Sequence, residues 1–113
     1  NDVLLLISNS GKTREIVELT TLAARLNPSL KKIVITGNAE SPLAQAADIC
    51  LFTGHPDEVC VLGMTPTTST TVMTVMGDIL VVETMKQTQF TIEEYSKRHH
   101  GGYLGERSRE LSK

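Results

Sequence analysis

The chain has 113 residues, room for one domain, and 40% of them are hydrophobic, as in an ordinary soluble globule. A net charge of −2, the lack of any basic run, and two Tyr, two Phe and no Trp leave neither the charge nor the stacking platform of a nucleic-acid binder. No signal peptide is visible, and the most apolar stretch, residues 72–85, is broken by Thr74, Asp78, Glu83 and Thr84 and too short to span a bilayer, which points to a cytoplasmic protein.

The first element is Val3-Leu-Leu-Leu-Ile7, an apolar run that reads as a strand buried on both faces. It enters directly into Ser8-Asn9-Ser10-Gly11-Lys12-Thr13. A helical pattern then starts, with Ile16, Val17, Leu19, Leu22, Ala23 and Leu26 on one face. Strand, polar turn, helix is how α/β proteins aim free backbone N–H groups at an anion. Ser8, Ser10 and Thr13 add three hydroxyls, so the turn is expected to hold a phosphate. An ordinary helix cap would also use Ser or Thr here. Gly11-Lys12-Thr13 resembles the end of a P-loop, but the glycine that motif needs five residues earlier is replaced by Leu6. A single phosphate fits better than a nucleotide triphosphate. Because the strand begins at about Val3 with no lead-in and Asn1 is not a start methionine, part of the domain is expected to be missing.

Ile33-Val34-Ile35-Thr36 reads as a second strand stopped by Gly37-Asn38. Ser41-Pro42 supplies an N-cap and a proline at the first position of a short helix, residues 43–47. Ile49-Cys50-Leu51-Phe52-Thr53 reads as a third strand. Strands alternating with helices imply right-handed parallel crossovers, with ligands beyond the carboxyl ends of the strands. Residues 8–13, 36–38 and 53–58 would share that edge. Cys50 and Cys60 lack CxxC spacing, so buried thiols in a reducing compartment are expected.

Thr65-Pro66 reads as the cap of a long helix ending near Lys86. Its apolar residues cover most of the circumference, so it should be buried on several sides, in the core or in a subunit interface. Its methionines read as packing, and Asp78 as paired or at an edge. Thr91-Ile92-Glu93-Glu94 is a capping box opening a last short helix, which His99-His100-Gly101-Gly102 should stop.

Glu15 sits in the first turn after the polar loop, where a carboxylate gains from the helix dipole whether or not it has a further role. Glu58 lies in a turn-like segment. His99 and His100 are favourable at a helix C-terminus, and neither they, His55 nor the cysteines make a recognisable metal spacing.

Together these residues match a family. Ser8-Asn-Ser-Gly-Lys-Thr13 resembles the Ser-x-Ser-x-x-Thr sugar-phosphate loop of SIS (sugar isomerase) domains, and Ile35-Thr36-Gly37-Asn38 with Ser41-Pro42-Leu43-Ala44 resembles the next segment of that fold. Glu58-Val-Cys-Val-Leu-Gly63, Thr65-Pro-Thr-Thr-Ser-Thr-Thr71, Gly77-Asp78 and His99-His-Gly-Gly-Tyr-Leu-Gly105 resemble the arabinose-5-phosphate isomerase branch. The resemblance covers almost the whole chain. It implies an α/β three-layer αβα sandwich with a parallel sheet, residues 1–113 being a partial SIS domain lacking its upstream strand and helix. It also implies interconversion of D-arabinose 5-phosphate and D-ribulose 5-phosphate, supplying Kdo for lipopolysaccharide or capsule, without a metal or cofactor.

By motif match the family's two glutamates fall on Glu15 and Glu58 and its histidine on His99, as catalytic residues. Ser8, Asn9, Ser10, Gly11 and Thr13 fall on its phosphate site. The family's catalytic lysine belongs upstream, and Lys12 is not its substitute. His100 stands where the family usually has proline. CBS regulatory modules are not seen. Expected partners are a sugar phosphate, a nucleotide-activated sugar acting as feedback inhibitor at the same site, and further copies of the chain in a dimer or tetramer. A non-catalytic phosphosugar sensor is the competing reading, and a structural or assembly domain a third.

Overall fold

A computed structural model describes residues 2–113, which form two compact units divided between Gly77 and Asp78. The first is α/β. Strands β1 (Val3–Ile7), β2 (Lys31–Thr36) and β3 (Ile49–Phe52) make a parallel sheet in the order β1-β2-β3. Leu6 pairs with Val34 and Ile7 with Ile35, while Thr36 pairs with Phe52 on the other side. Helices α1 (Arg14–Leu26) and α2 (Pro42–Gln45) occupy the two crossovers. Right-handed crossovers through neighbouring strands put both on one sheet face. There Leu6, Val34 and Leu43 form the buried core, with Leu4, Ile16, Val17 and Ala47 against it.

The predicted β-α-β order and parallel sheet are those observed. Ser41 caps α2 as expected, its Oγ accepting the Ala44 N–H at 3.2 Å with Pro42 in the first turn. Burial differs from expectation in two places. Strand β1 is covered on one face only: Val3, Leu5 and Ile7 are about half exposed while Leu6 is buried. A strand's period of two makes that outer face as apolar as the inner, which is what a second covering layer requires. On α1, Ala23 and Thr20 are buried and Ile16 and Val17 half-buried, but Leu19, Leu22 and Leu26 are exposed. The narrow sheet covers only part of the helix's apolar arc.

Helix α3 (Thr68–Gln87) begins three residues later than Thr65 and runs across the boundary between the units. Of the two placements expected for it, the core is not observed: in the single chain it is largely exposed, with Val75, Ile79, Val81 and Val82 each about half accessible and Asp78 exposed. Its apolar residues point in every direction, so no single packing face could cover them.

In the second unit, α4 (Ile92–Arg98) is followed by α5 (Gly102–Leu111), a helix the sequence reading did not anticipate. Thr91 accepts the Glu94 N–H at 3.2 Å. Glu94 turns its carboxylate to Lys97 and Arg98 instead of closing the capping box, and those two cations hold it at a pKa of about 2. The glycines are not what stops α4: the helix ends at Arg98 with His99 as its C-cap, and Gly101 and Gly102 are the N-cap and first residue of α5.

Candidate sugar-phosphate site

The carboxyl edge of the sheet is tied together by short polar links. The Asn9 carbonyl accepts the Gly37 N–H at 3.0 Å and the Thr36 hydroxyl at 3.2 Å. The Leu43 N–H bonds to the Gly11 carbonyl at 3.2 Å, fastening α2 to the β1–α1 loop. Gly11 has φ +62°, and a Cβ there would overlap the Ser41 side chain, so the loop passes only with glycine.

Within this loop the hydroxyls are occupied mainly as acceptors. Ser8 Oγ accepts the Gly11 N–H at 3.2 Å and shares one proton with Thr13 Oγ1 at 2.9 Å, while Ser10 Oγ accepts the Lys12 N–H at 3.2 Å. A hydroxyl has one proton and two lone pairs, so the Ser10 proton and one of the Ser8/Thr13 protons remain free to point at a ligand. Thr13 is the N-cap residue of α1, yet its side chain does not cap it. The N–H groups of Thr13, Arg14 and Glu15 find no acceptor among the described residues. Open helix-terminal donors beside free hydroxyl protons are what an anion needs.

Ser8, Asn9, Ser10 and Thr13 line a cavity of about 520 Å³ together with Ile7, Ile16, Glu58, Met64, Pro66, Ser69, Thr70 and Met73. Glu58 reaches it from the segment after β3. Its Oε2 accepts the Thr67 N–H and Thr67 hydroxyl, each at 2.8 Å, and the Ser69 N–H at 3.3 Å. The N-terminus of α3 is thus capped by a carboxylate nine residues upstream of Thr67, and not by Thr65-Pro66. The nearby Ser69 hydroxyl, then the Thr67 N–H and hydroxyl, hold this carboxyl at a pKa of about 2, so Glu58 is an anion at neutral pH. Its Oε1 makes no hydrogen bond among the described residues, leaving one oxygen available.

Ser69 was not singled out by the sequence. It is 1% exposed, and its Oγ has no hydrogen-bond partner of good geometry although it lines the cavity. Its proton is turned to the nearby Glu58 carboxylate, and its lone pairs stay free to accept from a ligand hydroxyl. Only its place in a run of Thr and Ser hinted at it, and that run marks no member above the others.

Glu15 is exposed on the first turn of α1 and does not line this cavity. Gly11 shapes the loop without lining it. His99, in the second unit, is half-buried at the C-cap of α4, with its ring stacked on Tyr95.

The cysteines are not the buried thiols expected: Cys50 is exposed and Cys60 partly so. Cys60 Sγ accepts the N–H groups of Met64 at 3.2 Å and Thr65 at 3.1 Å in the turn that leads to α3. The Thr65 hydroxyl and N–H, with the N–H groups of Met64 and Leu62, lower its pKa to about 7.

Among known proteins, the SIS domain family matches residues 1–83. The arabinose 5-phosphate isomerase KdsD of Pseudomonas aeruginosa is 47% identical over 107 residues, 95% of this chain and 32% of that protein. KdsD of Escherichia coli K12 is 46% identical over 104 residues, 92% of this chain and 31% of that one. The chain therefore spans about a third of the length of the curated relatives it matches. A solved Bacteroides fragilis protein, described as a phosphosugar isomerase involved in capsule formation, superposes with a TM-score of 0.86 at 81% identity, covering 90% of this chain and 53% of that one. An Escherichia coli CFT073 protein solved in complex with arabinose 5-phosphate gives 0.75 at 34% identity, covering 87% and 51%.

Proposed function

The chain belongs to the SIS domain family, and from that premise we propose that it is the sugar-phosphate-binding part of an aldose–ketose isomerase interconverting D-arabinose 5-phosphate and D-ribulose 5-phosphate. The observation that carries this is the uncapped N-terminus of α1, with free hydroxyl protons, facing the cavity that Glu58 also lines. The similarity to KdsD enzymes and to a protein holding arabinose 5-phosphate supports the same ligand class.

In the proposed mechanism Ser8, Asn9, Ser10, Gly11 and Thr13 hold a phosphate that is not itself transformed. Its binding energy anchors a small flexible sugar against the catalytic groups. A base removes the C2 proton of the aldose, the pair of electrons forms the C1–C2 double bond of an enediol, and O1 gains a proton. Loss of the O2 proton and reprotonation at C1 then give the ketose. Glu15, Glu58 and His99 are the proposed proton-transfer set, each positioned group contributing about 10²–10⁴-fold. Glu58, held as an anion with a pKa of about 2, suits orienting a sugar hydroxyl through Oε1; such a carboxylate is a weak base, and its place in the proton-transfer set rests on motif match. Glu15 and His99 enter by motif match.

The wider proposal is a cytoplasmic homo-oligomer, dimer or tetramer, that covers the exposed apolar residues of α3 and supplies Kdo precursor. Among the described residues no helix is long and apolar enough to cross a membrane. A stable monomer by sedimentation at micromolar concentration would refute the oligomer. A nucleotide-activated Kdo is proposed to compete at the sugar-phosphate pocket, and purely non-competitive inhibition would refute that.

The deciding experiment measures ribulose 5-phosphate formed from arabinose 5-phosphate by the full-length protein and its Glu58→Gln variant. Turnover that collapses in the variant is expected. Binding of the sugar phosphate without turnover would replace the isomerase with a phosphosugar sensor, a reading favoured by the position of Glu15 outside the cavity.

A further inference from the structure

The imidazole of His99 has two nitrogens, and which of them can take a proton depends on what the other is bonded to. Nδ1 lies 3.2 Å from the backbone carbonyl oxygen of Tyr95. The same oxygen accepts the His99 backbone N–H at 3.1 Å, within the capacity of a carbonyl's two lone pairs. A carbonyl can only accept, so Nδ1 carries the proton and the lone pair of the neutral ring sits on Nε2. Among the described residues Nε2 has no partner. The Tyr95 ring lies against the imidazole with centroids 3.9 Å apart and planes 6° from parallel, which restricts rotation of the histidine side chain. The i, i+4 spacing along α4 puts the two side chains on one face, a turn apart.

Behind the histidine, α5 comes close enough that a Cβ on Gly105 would stand 2.5 Å from the His99 carbonyl oxygen. Glycine at that position lets α5 press on the backbone that carries the ring.

We infer that Tyr95 is a positioning residue for His99: its carbonyl and its ring hold the imidazole as the Nδ1–H tautomer, so that Nε2 is the atom presented for proton transfer. This rests on the catalytic reading of His99 above. It adds a residue which that reading does not contain and an identified nitrogen for the chemistry.

The test combines long-range nitrogen–proton correlation spectra with steady-state kinetics on the full-length protein, its Tyr95→Phe and its Tyr95→Leu variants. The wild-type spectrum is expected to show His99 protonated on Nδ1 at a pH where the ring is neutral. Tyr95→Phe keeps the stack, and since the Tyr95 hydroxyl bonds to nothing among the described residues, it should retain both the spectrum and kcat. Tyr95→Leu keeps the carbonyl but removes the stack, so the ring can rotate away from it, which should give mixed tautomers and lower kcat about tenfold with KM little changed. An Nε2–H tautomer in the wild type would overturn the inference even if Tyr95→Leu failed to fold, and so would a Tyr95→Leu enzyme with unchanged kcat. An inactive wild type with the Nδ1–H tautomer would refute the isomerase reading while supporting the hold of Tyr95 on the ring.

Discussion

Two helices in the first unit begin beside the same cavity, and they treat their first N–H groups in opposite ways. The N-terminus of α1 has a threonine in the capping position that declines to cap, and its donors stay open. At α3 the donors are taken up by Glu58, an anion the chain itself supplies. The positive end of one helix dipole is left for a ligand and that of the other is neutralised from within. The contrast teaches that Glu15, though in the first turn of α1, leaves that helix's first N–H groups unbonded while Glu58 takes up those of α3, so a ligand anion has one set of open donors to go to.

The severest way to break this contrast is Gly11→Val. A side chain at φ +62° that also overlaps Ser41 destroys the open loop, and phosphosugar binding should vanish with a fall in melting temperature corresponding to about 2–4 kcal/mol. Calorimetry and thermal melts read both. Glu58→Gln attacks the other terminus. Turnover should drop by about 10²-fold or more, while affinity for inorganic phosphate, measured separately, should hold.

Ser8→Ala or Thr13→Val removes a hydroxyl from the open terminus only and should weaken sugar-phosphate binding about tenfold each, leaving the α3 cap intact. The pH response sharpens the comparison further. Because Glu58 is held at about 2 against an ordinary 4.5, its support of α3 is complete above pH 4.5 and is lost as pH falls toward 2. Amide shifts of Thr67 and Ser69 should titrate with a midpoint of about 2 in the folded wild type and stay flat in Glu58→Gln. The smallest effect is expected for Lys12→Ala, an exposed charge near the open terminus: roughly a two- to threefold loss of affinity, disappearing in about 1 M salt.

What the sequence made legible is what is encoded locally. Ser41-Pro42 announces α2 because cap and first turn are adjacent residues, and the strands announce themselves as short apolar runs, strongly β-branched only in β2. The open loop was readable for the same reason, its hydroxyls lying within six residues of one another. The Glu58 cap was hidden because the acceptor and its donors are separated by a loop whose path no periodicity describes. Leu19, Leu22 and Leu26 belong to a genuine helical stripe, but a stripe states what can be buried and not how wide the neighbouring sheet is. Helix α5 escaped because its buried positions are Gly105 and Ser108, small residues that leave no apolar signal. Gly101-Gly102 reads as a stop, and glycine serves a start equally well.

Cys60 gives the turn before α3 a chemical readout. A thiol held at about 7 by the N–H groups of Met64 and Thr65 and the Thr65 hydroxyl is about half thiolate in neutral solution. Its alkylation rate at pH 6, where an ordinary thiol is nearly silent, therefore follows the integrity of those donors. The exposed Cys50 on β3 provides an internal reference in the same tube. A ratio of the two adducts by mass spectrometry would report on the Glu58 side of the cavity without any substrate present.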